Sequence, residues 1–387
     1  MLTPCRQIHE NPELAWSEHH AHDTICNFLE SHSFKITRGA YNFPTSFESR
    51  TAIPNLAGEK CKTINFNAEY DALPGIGHGC GHNLIATASL VGYLALSHLI
   101  KTYEVPAELQ LLGTPAEEHG GGKIELFNAG AFKGVDLSLM AHPCPISNDS
   151  SVEFLGGCAG VRTTAKVGMA AVYSGKSAHA GAEPWEGINA LDALVSAYNN
   201  VSMLRQQMSP DCRIHGAVAE APKVANIIPD STKVVYSVRG PSINVAEGLA
   251  SRVEDCLRAG ALATGCRCDV ERENPYVDLL PNETLCKTYC AHMKRMGKKV
   301  EVMAKEILGA STDQGNISRE MPALHPMFGI PCEAGIKIHS REFATVAGTK
   351  EAFEIAIVVG KALAMTGWDI LTKEGTFQNV KKDFEEC

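Results

Sequence analysis

The chain has 387 residues, 44% of them hydrophobic, and carries 35 basic against 44 acidic side chains for a formal charge of −9. This length predicts two domains with sizeable cores. The acidic balance excludes nucleic acid as an expected partner and favours a small molecule or peptide. Apolar runs of about 18 residues and a secretory leader are both missing from the sequence, and the 14 cysteines are scattered. We therefore expect a cytoplasmic protein with reduced thiols and no membrane association.

Helices and strands alternate in the first half of the chain. Residues 16–30 predict an amphipathic helix with His19, His20 and His22 on its solvated side. The apolar stretch 84–100 predicts a buried helix. Strands are predicted in TINFNAEYDALPG, at 107–114 and at 135–141. This alternation predicts an α/β layered domain with a mostly parallel central sheet.

The pattern changes near residue 163. The next segments read strand, helix, strand, strand, helix, strand, and the first helix is predicted over 184–208 with Pro184 in its first turn. This βαββαβ order predicts a ferredoxin-like domain at 163–274, inserted into a catalytic domain made of 1–162 and 275–387. The helix predicted over 184–208 has apolar residues on more than one face, so part of its surface is expected to contact a second subunit. These apolar residues include Leu191, Leu194, Val195 and Val201.

Possible metal ligands follow each of three predicted strands. Cys80 and His82 lie in GIGHGCGHNLIA, Glu117 and Glu118 follow the second strand, and His142 follows the third. Because ligands gather at the carboxyl ends of strands in open α/β sheets, these side chains are expected to meet. Nitrogen, sulfur and oxygen donors together suit one or two divalent ions, zinc foremost and manganese as an alternative.

Considered separately, each of these residues could have a purely structural role instead of binding a metal. A histidine before a proline, or a pair of glutamates in a loop, is often structural. Adjacent glutamates cannot normally both face one ion, but one can bind it while the other acts on the attacking water. His78, in the same loop as Cys80 and His82, is expected to be a hydrogen-bonding residue rather than a ligand.

Seven segments occur in the order found in one known family. They are EYDALPGIGHGCGHNLIA, TPAEEHGGGK, AHP at 141–143, SAHAGAEPWEGINALDAL, NIIP at 226–229, GASTDQGNIS and KIHSREFA. The chain resembles the dinuclear metallopeptidase family of aminoacylase, bacterial carboxypeptidase G and plant indole-acetyl-amino-acid hydrolases. The resemblance covers nearly the whole chain. It is strongest to the amidohydrolase branch and, within that branch, to β-alanyl-lysine-type dipeptidases.

The resemblance implies a role for each matching residue. Glu117 would be the general base, and Asp71 would orient a ligand or the ion. The metal ligands would be Cys80, His82, Glu118, His142 and His339. The Cys80 thiolate would be shared between two ions, with zinc, manganese or cobalt as the metal. Two residues depart from the family pattern: Asn83 stands where many relatives have aspartate, and Glu69 stands where other branches have a ligating histidine.

In the inserted domain, the resemblance makes His179 a lid histidine and makes Asn226 and Arg239 residues that hold a substrate carboxylate. A salt bridge on a strand is the structural alternative for Arg239. Relatives often pair through this domain, and some bring the lid histidine into the neighbouring active site. The resemblance therefore implies a homodimer with a lid and dimerisation domain.

The implied reaction is hydrolysis of the amide bond in a small dipeptide or N-acyl amino acid. Glu117 would take a proton from the attacking water, and His179 would face the oxyanion. Two alternatives stay open on the sequence alone: an enzyme that forms or exchanges an amide bond on the same site, and a metal-free binding or regulatory relative. A zinc base deaminase is excluded because its Pro-Cys-x-x-Cys ligand pair is absent from the sequence.

Overall fold

The structure is a computed structural model that describes residues 2–58, 60–147 and 155–386. The chain divides into two compact units. The larger contains Met1–Arg162, Leu279–Ile307 and Thr312–Cys387, and the smaller contains Thr163–Asp278 and Leu308–Ser311. The smaller unit extends past the predicted boundary at 274 because the backbones of Lys166 and Tyr276 pair with each other.

Helices and strands are numbered in chain order. The first part contains α1 (Leu2–Glu10), α2 (His19–Ser31), β1 (Ile36–Arg38), β2 (Phe47–Ile53), β3 (Thr63–Ala68), α3 (His82–Thr102), β4 (Ala107–Gly113), α4 (Gly122–Asn128), β5 (Leu137–Leu139), β6 (His142–Ser147) and β7 (Leu155–Thr163). The smaller unit contains β8 (Ala165–Ser174), β9 (Ala178–His179), α5 (Ala190–Leu204), β10 (Arg213–Glu220), β11 (Ile227–Ile228), β12 (Ser231–Gly240), α6 (Ile243–Thr264) and β13 (Arg267–Arg272). The last part contains α7 (Glu283–Arg295), β14 (Lys299–Leu308), α8 (Gln314–Ser318), β15 (Ala323–Leu324), β16 (Met327–Cys332), α9 (Arg341–Ala347), α10 (Lys350–Thr372) and α11 (Thr376–Glu385).

The larger unit is built on a six-stranded sheet in the order β1-β2-β4-β3-β5-β15. β4, β3, β5 and β15 run parallel to one another, whereas β2 and β1 add an antiparallel edge. All six residues of β3 are buried, as expected for a central strand covered on both faces. The α/β fold class is therefore confirmed, and the parallel strands end at one edge of the sheet.

Two neighbouring strands pass from this sheet into a second, four-stranded sheet of order β14-β7-β16-β6. β5 leads into β6 at His142, and β15 leads into β16 just after His325. β6 and β16 pair in parallel, and the His142 N–H donates to the Pro326 carbonyl at 2.9 Å. Both histidines therefore lie where the backbone leaves the main sheet.

Helices α3 and α10 are long and apolar enough to cross a membrane by length and composition alone, but 72% and 56% of their apolar windows are buried inside the protein. They pack closely against each other, because a Cβ atom on Gly360 would lie only 2.5 Å from the Val91 Cβ. Their apolar character is accounted for by the core of the larger unit, where Leu84, Tyr93, Leu96, Val359 and Leu363 are buried.

The smaller unit has an antiparallel sheet in the order β10-β12-β8-β13, with α5 following β8 and α6 following β12. This is the predicted βαββαβ topology. Residues of β12 alternate between buried and partly exposed, so one face of the sheet packs on the helices. A Cβ atom on Gly260 would lie 2.5 Å from the Ala193 carbonyl oxygen, which shows how closely α6 approaches α5.

Two predictions about helices were wrong. His22 is not on the solvated side of α2: it is 5% exposed and its ring makes an edge contact with Phe47 at 6.1 Å. The helix predicted over 184–208 is shorter, because α5 begins at Ala190 with the Asn189 side chain accepting from the Leu191 N–H at 2.9 Å. Residues Pro184–Glu186 form a separate 3-10 turn that ends at the extended Gly187.

Candidate metal centre

The loop from β3 to α3 places Cys80 and His82. His82 is the first residue of α3, and Gly81 before it has a left-handed φ of 78°. A Cβ atom on Gly81 would lie 2.5 Å from Pro143 Cγ, so a larger residue would displace the loop. The glycine therefore lets Cys80 and His82 approach the strand that begins at His142.

A hydrogen bond fixes the ring orientation of His82 and of His142. His82 Nδ1 lies 2.8 Å from Asp71 Oδ1, and His142 Nδ1 lies 2.8 Å from the Pro143 carbonyl oxygen. Because both partners accept, each Nδ1 carries the proton and each Nε2 presents its lone pair. This is the arrangement that a metal-binding histidine requires.

Cys80 lies between two groups of donor atoms. Its sulfur is 3.4 Å from His142 Nε2 and 3.3 Å from His339 Nε2. The donor atoms of Cys80, His82 and His142 all lie within 4.8 Å of one another, and so do those of Cys80, Glu118 and His339. All five predicted ligands are thus brought together, with the Cys80 sulfur common to these two groups, and Glu69, His82 and Glu117 form a third group within the same distance.

The residues present fit a divalent cation. Among the residues that the structure describes, His82 Nε2 and Glu118 Oε1 are buried without a hydrogen-bond partner, and they lie 3.7 Å apart. Burying such atoms unsatisfied is costly, and a cation between them would satisfy both. Burial also raises the pKa of the Cys80 thiol well above its usual value, which a bound cation would reverse.

Glu117 and Glu118 follow β4 and face the same donors. The Glu118 N–H donates to Asp71 Oδ2 at 2.9 Å, so one aspartate holds both this loop and the His82 ring. Glu117 Oε2 lies 3.9 Å from His82 Nε2. Burial, followed by the charges of Glu69 and Glu118, raises the pKa of Glu117 well above that of an ordinary glutamate. A raised pKa suits a carboxylate that must accept a proton and give it back.

Several buried charged residues beside the centre escaped prediction. Lys123 is completely buried between Glu69 and Asp313, and its Nζ lies 2.5 Å from Asp313 Oδ1. Burial opposes ionisation of Glu69, but Lys123 and His82 outweigh it and lower the pKa of Glu69 to about 2. Glu69 Oε2 is 3.6 Å from His82 Nε2. His325 also lies here, its ring centroid 5.7 Å from that of His142.

Signals for some of these residues were present in the sequence. Lys123 and Asp313 lie within TPAEEHGGGK and GASTDQGNIS, two of the segments that match the family. A buried ion pair cannot be recognised from either segment alone, because its partners are far apart in sequence. His78 is a hydrogen-bonding residue, as predicted, with Nε2 3.1 Å from the Ile8 carbonyl oxygen.

In the smaller unit, His179 and Asn226 lie close together. His179 is in β9, which pairs with β11, and the Ala180 N–H donates to the Asn226 carbonyl at 3.0 Å. The His179 Nδ1 accepts from the Gly181 and Ala182 N–H groups at 3.2 and 3.1 Å. In the neutral ring the proton is therefore on Nε2, which makes that atom a hydrogen-bond donor.

Arg239 lies in β12 of the same unit and is held by neighbours on two sides. Its Nη1 donates to the Ser311 hydroxyl at 2.9 Å, and its Nε donates to His215 Nε2 at 3.3 Å. The structural alternative for this residue was a salt bridge on the strand, and neither of these contacts is to a carboxylate. Because His215 and Ser311 are neutral, neither of them balances the positive charge of the Arg239 guanidinium.

Comparisons with known proteins agree with this geometry. The family model described as "Peptidase family M20/M25/M40" matches residues 65–366. The chain belongs to this family. It is 39% identical to a mouse (Mus musculus) "Xaa-Arg dipeptidase" across 98% of this chain and 88% of that relative. It is 24% identical to one subunit of the Escherichia coli p-aminobenzoyl-glutamate hydrolase across 98% of this chain and 91% of that one.

Two solved structures have a fold similar to that of this chain. A putative aminohydrolase from methicillin-resistant Staphylococcus aureus matches with a TM-score of 0.73 at 19% identity, covering 96% of both chains. A dinuclear metal-binding peptidase of the M20 family from Bacillus subtilis matches with a TM-score of 0.61 at 19% identity, covering 93% of this chain and 98% of that one.

Membership of the M20 family settles the class of reaction. The chain is a metal-dependent hydrolase of the dipeptidase and amidohydrolase type, acting on peptide or related C–N bonds with divalent ions as cofactors. The resemblance found in the sequence is confirmed, and the metal-free alternative is set aside.

Proposed function

We propose that this M20 enzyme hydrolyses dipeptides and related small amides whose leaving amino acid is basic, with Glu117 as the general base. The observation that carries the proposal is the position of Cys80 Sγ within both donor groups, with Glu117 beside them. The substrate class is supported by the 39% identity to a relative named Xaa-Arg dipeptidase.

Two ions, zinc for preference and manganese or cobalt as alternatives, fit the two donor groups. Cys80, His82 and His142 would hold one, and Cys80, Glu118 and His339 would hold the other. When bound, such ions lower the pKa of water and polarise the substrate carbonyl. Three protein ligands for each ion leave room for water or substrate, as catalytic metal sites require.

Glu117 accepts a proton from the attacking water and delivers it to the leaving nitrogen. Its carboxylate lies 3.9 Å from His82 Nε2, beside the donor atoms, where it can take up the proton and later deliver it. Glu118, beside it, directs Oε1 at His82 and His339 and so has the position of a ligand. Both carboxylates lie near His82, but Glu118 also belongs to the donor group of Cys80 and His339, which supports different roles for the adjacent glutamates.

His179 stabilises the oxyanion, and Asn226 with Arg239 binds the substrate carboxylate. The support for His179 is its Nδ1, which accepts two backbone N–H groups and leaves the proton on Nε2 as a donor. Arg239 has neutral hydrogen-bond partners in His215 and Ser311, and a guanidinium can bind a carboxylate through two parallel hydrogen bonds.

The smaller unit is proposed to be the lid and to pair two copies of the chain. Leu194 and Val201 of α5 are buried in its core, whereas Val195 and Tyr198 are each 48% exposed. These exposed apolar side chains, and the position of β10 at the edge of its sheet, support pairing with a second copy through this unit. A cytoplasmic location is supported by the free thiols of every cysteine that the structure describes.

The test is amine release by the metal-loaded enzyme from four substrates: alanyl-arginine, β-alanyl-lysine, an N-acetyl amino acid and p-aminobenzoyl-glutamate. We expect kcat/KM for the two basic dipeptides to exceed the others by about tenfold or more, since a paired charge contributes at least that much discrimination. No release from any substrate at full metal loading would refute the proposed reaction. Preference for p-aminobenzoyl-glutamate would refute the basic substrate class alone.

A further inference from the structure

Glu18 occupies the N-cap position of α2 but does not cap its own helix. Its side chain makes no capping hydrogen bond. The Glu13 carboxylate replaces it, accepting from the His20 and Ala21 N–H groups, each at 2.9 Å. Capping by a nearby acid satisfies the free N–H groups of the first turn. The Glu18 carboxylate is therefore available for another contact.

That contact is with the loop of the two glutamates. Glu18 is completely buried, and its Oε1 accepts from the Ala116 N–H at 2.8 Å across 98 residues of sequence. A buried side-chain oxygen that accepts a backbone N–H from a distant segment ties the two segments together. Ala116 immediately precedes Glu117, so the hydrogen bond acts on the peptide next to the proposed general base.

Ala116 has an unusual conformation that needs such support. Its φ is +60°, in the left-handed region that side chains other than glycine rarely adopt. The Ala116 carbonyl accepts from the Gly122 N–H at 3.2 Å, and a Cβ atom on Gly122 would lie 1.7 Å from the Pro115 carbonyl oxygen. The loop is thus closely folded, and its strained residue is the one that Glu18 binds.

A second carboxylate holds the other side of Glu117. The Glu118 N–H donates to Asp71 Oδ2 at 2.9 Å. Glu18 and Asp71 therefore bind the N–H groups of the residues before and after Glu117. With both neighbours fixed, the Cα atom of Glu117 can occupy only a narrow range of positions.

We propose that Glu18 is a positioning residue, which holds Ala116 in the left-handed conformation and thereby directs the Glu117 carboxylate toward the metal donors. This inference rests on the proposed function, in which Glu117 is the general base. It concerns a residue of α2 that is far from the motifs of the site in sequence and contributes no atom to either donor group.

The test compares Glu18→Met with Glu18→Gln in the full-length, metal-loaded enzyme. Both variants keep the length of the side chain, but only glutamine has a carbonyl oxygen that can accept the Ala116 N–H. We expect kcat for alanyl-arginine to fall about ten- to a hundredfold in Glu18→Met, with KM and metal content unchanged, because small misplacements of a reacting group have effects of that size. Glu18→Gln should keep most of its turnover.

Two further variants separate positioning from a general effect on folding. Glu13→Gln weakens the cap of α2 without touching Ala116, and it should leave kcat at the wild-type level. Adding Ala116→Gly to Glu18→Met should restore part of kcat, because glycine adopts the left-handed conformation freely. Equal losses of kcat in Glu13→Gln and Glu18→Met would overturn the proposal, as would wild-type kcat in Glu18→Met.

A crystal structure of the metal-loaded Glu18→Met variant gives a readout that is independent of activity. We expect the φ angle of Ala116 to leave the left-handed region and the Glu117 carboxylate to move away from His82. An unchanged loop would overturn the inference even if turnover fell. If the wild-type enzyme cleaved no amide at all, the proposed reaction would fail, while the variant's structure would still decide whether Glu18 holds the loop.

Discussion

The metal donors of the larger unit and the candidate substrate residues of the smaller unit are held in different ways. His82 has no exposed surface, and its ring is fixed by Asp71 from the end of a central strand. His179 and Asn226 are exposed: His179 lies in a ribbon of two residues per strand, and Asn226 immediately precedes the second of those strands. Ligands of an ion need fixed directions, whereas groups that bind a substrate must be reached from solvent.

Replacement of Cys80 tests the metal half of this comparison and has the largest expected effect. Cys80→Ala removes the one sulfur that both donor groups share, so metal content and turnover should both fall to background. The measurement is metal analysis of the purified protein together with amine release. Cys286→Ala, another buried cysteine of the same unit, is the matched control and should retain its metal. Full metal content in Cys80→Ala would remove this residue from the site.

The two adjacent glutamates should separate metal binding from proton transfer. Glu117→Gln should keep its metal and lose about a hundred- to ten-thousandfold in kcat, because an amide cannot accept the proton from water. Glu118→Gln should instead bind metal more weakly. Metal titration of both variants, followed by kinetics at saturating metal, checks this pair. If Glu117→Gln lost metal and Glu118→Gln kept its metal but lost turnover, Glu117 would be the ligand and Glu118 the general base.

His179→Ala tests the exposed half of the comparison. We expect a fall in kcat of about a hundred- to a thousandfold with unchanged metal content, as for loss of one oxyanion donor. Mixing His179→Ala subunits with Glu117→Gln subunits then determines whether His179 acts in its own active site or in that of the partner subunit. Recovered activity in mixed dimers would place it in the partner's site, and inactivity after verified subunit exchange would place it in its own chain. Normal turnover in His179→Ala would exclude it from the mechanism.

The smallest expected effect concerns stability rather than turnover. Burial, followed by the charge of Asp71, raises the pKa of Glu18 from 4.5 to about 7. The folded protein therefore holds a proton on Glu18 that the unfolded chain releases, so the contribution of Glu18 to stability falls as the pH rises from about 4.5 to about 7. Glu18→Gln does not titrate, so its Tm relative to wild type should rise by a few degrees between pH 5 and pH 8. A constant difference in Tm would contradict this assignment.

The sequence predicted those parts of the molecule whose cause is local. The buried run of α3, the strand β4 and the βαββαβ order all follow from periodicity and turn residues. The expectation that Cys80, His82 and His142 meet required only that parallel strands end at one edge of a sheet. The donor atoms of these three residues do lie together, since the sheet has that parallel centre.

What the sequence did not predict depends on contacts between distant segments. The antiparallel strand β1 has only three residues, and β2 carries polar residues along its length, so both lack the apolar signal of the central strands. His22 has charged and polar neighbours in sequence, yet α2 turns it toward Phe47. Lys123 is a cation that follows three glycines at the start of α4, and nothing local shows that Glu69 and Asp313 neutralise it in the interior.

The unequal exposure of the proposed ligands has a consequence for handling the enzyme. The His82 side chain is fully buried, whereas the His339 side chain is 51% exposed. The backbone of His339 is in the left-handed region, with a φ of 65°. A chelator can reach the group of Cys80, Glu118 and His339 before it reaches the group of Cys80, His82 and His142. Brief dialysis against chelator should therefore yield a species with one ion, and a different metal added afterwards would enter the emptied position to give a mixed-metal enzyme.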